Sequence, residues 1–83
     1  MTAAEAQEQA HRISKTSRVV IREIPARLWR VDAQGRRVEV DGVYYSARYE
    51  EPGYLVQSSG DTEAGARYLL ADLLASNLAA GLL

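Results

Sequence analysis

Residues 38–45 read VEVDGVYY, an Asp-Gly pair set between β-branched residues. Asp-Gly flanked by alternating apolar residues is the strongest short hairpin signal, because both central positions of a type I′ turn need positive φ. A two-residue turn here pairs Val40 with Val43, Val38 with Tyr45 and Arg36 with Ala47. Upstream, Asp32-Ala33-Gln34-Gly35 reads as a four-residue loop that pairs Val31 with Arg36 and Trp29 with Val38. Downstream, Glu50-Glu51-Pro52-Gly53 pairs Tyr49 with Tyr54 and Ala47 with Val56. Along a strand side chains alternate faces, and directly paired residues share one. The combined register puts Trp29, Val31, Val38, Val40, Val43, Tyr45, Ala47, Tyr49, Tyr54 and Val56 on one side, which predicts a core face.

The same register fixes the opposite face. Its rows are Leu28, Glu39 and Tyr44, then Arg30, Arg37, Ser46 and Gln57, then Arg48 and Leu55. Arg30 and Arg37 stand directly opposite each other in this reading, and like charges so placed repel. The segment from Arg18 to Ile24 is also strand-like, and Pro25, which cannot donate to a ladder, either ends it or places it on an edge.

Helices flank the sheet. Thr2 and Glu5 have capping-box spacing, and Ala3, Ala6, Ala10 and Ile13 recur at helical intervals, which predicts a short helix over 3–14. With an alanine face it is marginal alone, so it is either an arm or docks on the sheet. Thr62 is the expected N-cap of a second helix, with Glu63 beside its positive end. Ala66, Leu69, Leu70, Leu73, Leu74 and Leu78 then cover a broad apolar face suited to the aromatic side of the sheet. Gly81 is a natural stop. The expected fold is α+β: an antiparallel β-meander of three to four strands packed against a C-terminal α-helix, with a short N-terminal helix. It forms one domain over 1–83, with the N-terminal helix or arm at 1–17, the sheet at 18–58 and the C-terminal helix at 62–80.

The composition suits a small globular domain. Apolar residues make up 47% of the 83 residues and charged residues 25%, and a chain this short buries only about 60–65% of its unfolded surface. There is no cysteine and one histidine, His11. That excludes disulfides, thiolate metal sites and a cysteine nucleophile. The opening MTAAEAQEQAHR is polar, without a secretory apolar region, so a cytoplasmic location is expected. The net charge of −1 hides segregation, because Arg12 to Arg37 carries eight bases against two acids while Val38 onward carries seven acids against two bases. Nine of the ten bases are arginine, which favours fork-like recognition of carboxylate or phosphate.

Catalytic groups are sparse. His11 sits far in sequence from any turn carboxylate, Glu50 and Glu51 are neighbours in a tight turn and point apart, and Asp32, Asp41 and Asp61 occupy turn or cap positions. The glycines fall as turn punctuation with no phosphate-loop pattern. A non-enzymatic protein without cofactor or metal is expected.

The stretch Tyr45–Leu74, YSARYEEPGYLVQSSGDTEAGARYLLADLL, resembles the small antitoxin domain of the HicB type through Gly53-Tyr54 and Gly60-Asp61-Thr62 opening the helix. It departs from that family by having no Pro-Asp-Leu-Pro-Gly insert between these elements and no C-terminal DNA-binding segment. In size and style the chain is also similar to phage anti-CRISPR proteins. Helix–sheet–helix order is shared with double-stranded-RNA-binding domains as well, yet Asp61-Thr62-Glu63 at the start of the last helix would repel phosphate.

Both retained resemblances imply inhibition by occupying a macromolecular partner, such as a nuclease or a nucleic-acid-guided complex. The expected protein-binding face is Leu28, Arg30, Arg37, Tyr44, Arg48 and Leu55. A second candidate surface is the acidic set Glu50, Glu51, Asp61 and Glu63. Homodimerisation would use Leu74, Asn77, Leu78 and Leu82. The rival reading is a nucleic-acid module with Arg30, Arg37 and Arg48 around a stacking Tyr44, opposed by the acidic second half.

Overall fold

The computed structural model describes all 83 residues. Two helices and three strands follow in the order α1 (Ala3–Ser14), β1 (Val19–Val31), β2 (Arg37–Glu51), β3 (Tyr54–Gly60) and α2 (Glu63–Ala79). The strands form one antiparallel sheet in the order β1-β2-β3. The fold is therefore α+β, with a three-stranded meander, a short N-terminal helix and a C-terminal helix.

The caps work as the sequence predicts. Thr2 Oγ1 accepts from the Glu5 amide at 3.1 Å, and Thr62 Oγ1 accepts from the Gly65 amide at 2.9 Å. Each satisfies an amide that has no partner within its helix. α2 ends in a Schellman motif: Gly81 adopts φ +75°, Leu82 donates to the Asn77 carbonyl and Gly81 to that of Leu78.

The sheet corrects the register at three places. Asp41-Gly42 is not a turn, because β2 runs straight through it and Gly42 lacks positive φ. Its missing Cβ leaves room for the end of the Leu28 side chain, since a Cβ would meet Leu28 Cδ1 at 2.5 Å unless that flexible end shifted. The β1–β2 loop has three residues, closed by Asp32 and Arg36 rather than by Val31 and Arg36. Asp32 N–H donates to the Arg36 carbonyl at 2.9 Å, and Asp32 Oδ1 accepts from the Gln34 and Arg36 amides. Gly35, at φ +80°, completes a type I turn followed by a left-handed residue. The β2–β3 turn is only Pro52-Gly53, with Gly53 at φ +79°, so Tyr49 pairs with Val56 instead of Tyr54. This last shift of two residues leaves the faces unchanged.

The core is small and lies at one end. Tyr49, Leu70 and Leu74 are its largest fully buried side chains, joined by Val19, Ala47, Val56, Ala66 and Leu78. α2 lies over β2 and β3, whereas α1 docks chiefly on α2. Ala6 and Ala10 are fully buried, small enough to let the helices approach closely. Arg67 Nη1 donates to the Ser14 carbonyl at 2.6 Å, so one helix closes the C-terminus of the other. Leu69 and Leu73, expected on the sheet, are 48% and 45% exposed.

β3 pairs only with residues 45–51, while β1 and β2 stay paired out to Val31 and Arg37. Residues 24–31 and 37–44 therefore leave the body as a two-stranded arm, about 25 Å long at the usual rise per residue. The chain measures 51 × 23 × 18 Å, and its radius of gyration is 15.8 Å, where a compact domain of this length has about 12 Å. Trp29 and Val31 share a face with Tyr45, Ala47 and Tyr49, as predicted, but lie on the arm beyond α2 and are 57% and 70% exposed. Val38 and Val40 point to the opposite face. Pro25 sits mid-strand on the edge, the second of its two expected placements.

Candidate functional site

The arm is built by pairing alone, with neither face under a helix. On one face Ile24 pairs with Tyr44, Leu28 with Val40 and Arg30 with Val38, and Ala26 lies beside Gly42. These apolar side chains cover one another only partly, and Val40 remains 36% exposed. The other face carries Pro25, Arg27, Trp29 and Val31 against Val43, Asp41, Glu39 and Arg37. There the Arg37 guanidinium lies 5.1 Å from the centre of the Trp29 ring, at cation–π distance. Arg27 Nε pairs with Glu39 at 3.1 Å and with Asp41 at 3.4 Å, and Arg36 pairs with Asp32 at 3.1 Å. Arg22, Arg30 and Arg37 have no acidic partner within ion-pair distance.

The predicted binding face is brought together in part. Leu28, Arg30, Tyr44, Arg48 and Leu55 share one face of the sheet. Leu28, Arg30 and Tyr44 lie on the arm, whereas Arg48 and Leu55 lie on the body. Arg37 is on the other face, so it does not oppose Arg30; its cross-strand partner is Val31, and that of Arg30 is Val38. Arg48 donates through Nε to Glu50 at 3.1 Å and is therefore already engaged. Ile24, Val38 and Val40 belong to the arm cluster and were not on the predicted face. The signal for them is the run from Val19 to Val31, which is long enough for one strand if Pro25 is allowed an edge.

The acidic set is largely occupied within the chain. Glu50 holds Arg48, and Glu51 accepts from the Tyr49 hydroxyl at 3.0 Å and stands 3.7 Å from Arg18. Glu63 pairs with Arg67 at 3.5 Å, and Asp61 is exposed in the loop before α2. Burial first, then the hydrogen bond and charge of Glu51, push the Tyr49 hydroxyl above the ordinary tyrosine pKa.

The predicted dimer residues divide. Leu74 and Leu78 are core residues and unavailable at a surface. Asn77 Nδ2 donates to the Tyr54 hydroxyl at 2.6 Å, tying α2 to β3. Leu82 is 68% exposed.

His11 packs its ring 6.0 Å from that of Tyr68 across the two helices. No three His, Asp or Glu side chains gather as ligands for a metal ion, and no helix is long and apolar enough to cross a membrane. No family model, curated protein or solved structure matches this chain.

Proposed function

We propose that this chain is a non-catalytic bacterial or phage binding protein that inhibits a macromolecular partner by laying its hairpin arm over the partner's surface. The observation that carries the reading is the arm itself. Two-stranded ribbons are marginally stable in water, yet this one leaves Trp29, Val31 and Val40 exposed and has no helix behind it. Apolar surface of that kind marks a contact with another molecule, and Trp, Tyr and Arg are the residues that most often dominate binding energy. The resemblance to HicB-type antitoxins and to anti-CRISPR proteins suggests a nuclease or a nucleic-acid-guided complex as partner.

Charge favours a protein over direct nucleic-acid contact. Between Arg22 and Tyr44 five arginines face four acids, and two of those arginines, Arg27 and Arg36, are neutralised by Asp and Glu on the arm. Arg30, Arg37 and Arg48 do not form one basic strip around Tyr44, because Arg37 is on the other face and Arg48 holds Glu50. Phosphate recognition rests on an unopposed basic field.

Capture from bacterial lysate, comparing wild type with the double variant Leu28→Ser/Val40→Ser, tests the reading. The expected result is a partner held by wild type, lost by the variant at unchanged melting temperature, and inhibited when the wild-type protein is added back. Equal capture by both proteins would move the site off the Leu28–Val40 face, and equal capture by Trp29→Ala as well would move it off the arm. Duplex or single-stranded DNA binding that weakens steeply with salt would replace the protein-binding reading.

A further inference from the structure

The two edges of the sheet are treated differently by the sequence. β1 forms one edge and carries Arg22, Glu23, Pro25, Arg27 and Arg30, the charges and proline that discourage further strand pairing. β3 forms the other, and its seven residues, Tyr54 to Gly60, hold no charge and no proline. Its ladder bonds run only to β2, so its outer edge is open.

An apolar stripe lies beside that edge. The Asn77–Tyr54 hydrogen bond fixes which side of α2 stands over β3. Leu73 and Leu69 precede Asn77 at intervals of four residues on the same side of the helix. They are 45% and 48% exposed, while Leu70 and Leu74 next to them are fully buried. Gly60 allows the close approach of strand and helix, since a Cβ there would lie 2.8 Å from the Ala66 amide nitrogen.

We propose that β3 pairs antiparallel with β3 of a second copy of this chain, joining two three-stranded sheets into one of six strands, with Leu69 and Leu73 of the two α2 helices meeting over the seam. Self-complementarity selects a second copy as the occupant. A two-fold contact sets the same patch against itself, so a patch of one charge sign would repel; β3 has none. Centred on Gln57, the pairing opposes Tyr54 to Gly60, Leu55 to Ser59 and Val56 to Ser58 of the other copy. Each bulky residue of the first half meets a small one of the second. A two-fold axis normal to the sheet also keeps both helix layers on one side, which brings the leucine stripes together and sends the two arms away from the seam.

Light scattering at high micromolar concentration, with sedimentation of variants, tests this independently of the arm. Wild type is expected at about twice 9.2 kDa. Leu69→Glu/Leu73→Glu is expected to halve that mass with unchanged helical circular dichroism, because both side chains are already surface residues. The arm variant Leu28→Ser/Val40→Ser is expected to stay dimeric. The chain has no cysteine, so Gln57→Cys under mild oxidation should give a covalent dimer. A monomeric wild type, or a dimer lost by the arm variant and kept by the Leu69/Leu73 variant, overturns the proposal.

Discussion

The Arg37 guanidinium stands over the Trp29 indole at 5.1 Å, on the outer half of a two-stranded arm, with no core beneath either residue. The only tryptophan of the chain is thus a surface residue held by a cation, and its loss should be felt in binding rather than in folding.

Trp29→Ala should change unfolding free energy by less than about 1 kcal/mol, as surface substitutions do. Leu74→Ala, which empties a fully buried position, should cost about 2–5 kcal/mol. Denaturant titration of the two variants gives the comparison. Equal losses would mean that Trp29 reaches the core.

Gly35 and Gly42 should respond differently to alanine. Gly35→Ala forces a side chain onto φ +80° and should cost about 1–2 kcal/mol. Gly42→Ala has ordinary backbone and meets only the flexible end of Leu28, so it should cost under about 1 kcal/mol. If Asp41-Gly42 were the hairpin turn, Gly42 would be the costlier of the two.

Those two glycines also show how far the sequence could be read. Asp32-Ala33-Gln34-Gly35 and Asp41-Gly42 both carry valid local turn chemistry, and nothing within either segment separates them. The choice rests on β1: once residues 19–31 form one strand through Pro25, a fifteen-residue β2 pairs along it and needs no break at Gly42. Two register errors of opposite effect then cancel, one from loop length and one from the false turn. Only residues 36–40 were turned over. This is why Leu28, Arg30, Tyr44, Arg48 and Leu55 share a face as expected, while Arg37, Val38 and Val40 exchanged sides. Helix caps and the Pro52-Gly53 turn were legible because each depends on one or two adjacent residues. Exposure of Trp29 and Leu73 was not, since it depends on how far α2 and β3 extend over the sheet.

Tyr49 should make stability fall at high pH. Its hydroxyl is held above the ordinary value by burial and then by Glu51, so the folded state keeps the proton that the unfolded chain releases near pH 10. The contribution is complete below about pH 10 and is lost as pH climbs through the raised folded value. Urea titrations across that range should show the decline in wild type and a shallower one in Tyr49→Phe. The same slope in both would remove Tyr49 as the cause.

Gly60→Ala should destabilise the body, because its Cβ would press on backbone at Ala66 rather than on a flexible side chain. A loss of about 1–3 kcal/mol is expected by thermal melting. Wild-type stability would mean that α2 sits farther from β3.

The central claim, that the arm is the part of the molecule that meets a partner, is tested most directly by amide hydrogen exchange of the complex recovered from lysate against the free protein. The account predicts new protection concentrated in residues 24–31 and 37–44, with residues 50–53 and the start of α2 unchanged. Protection centred on Glu50, Glu51, Asp61 and Glu63, with the arm exchanging as in the free protein, would contradict it.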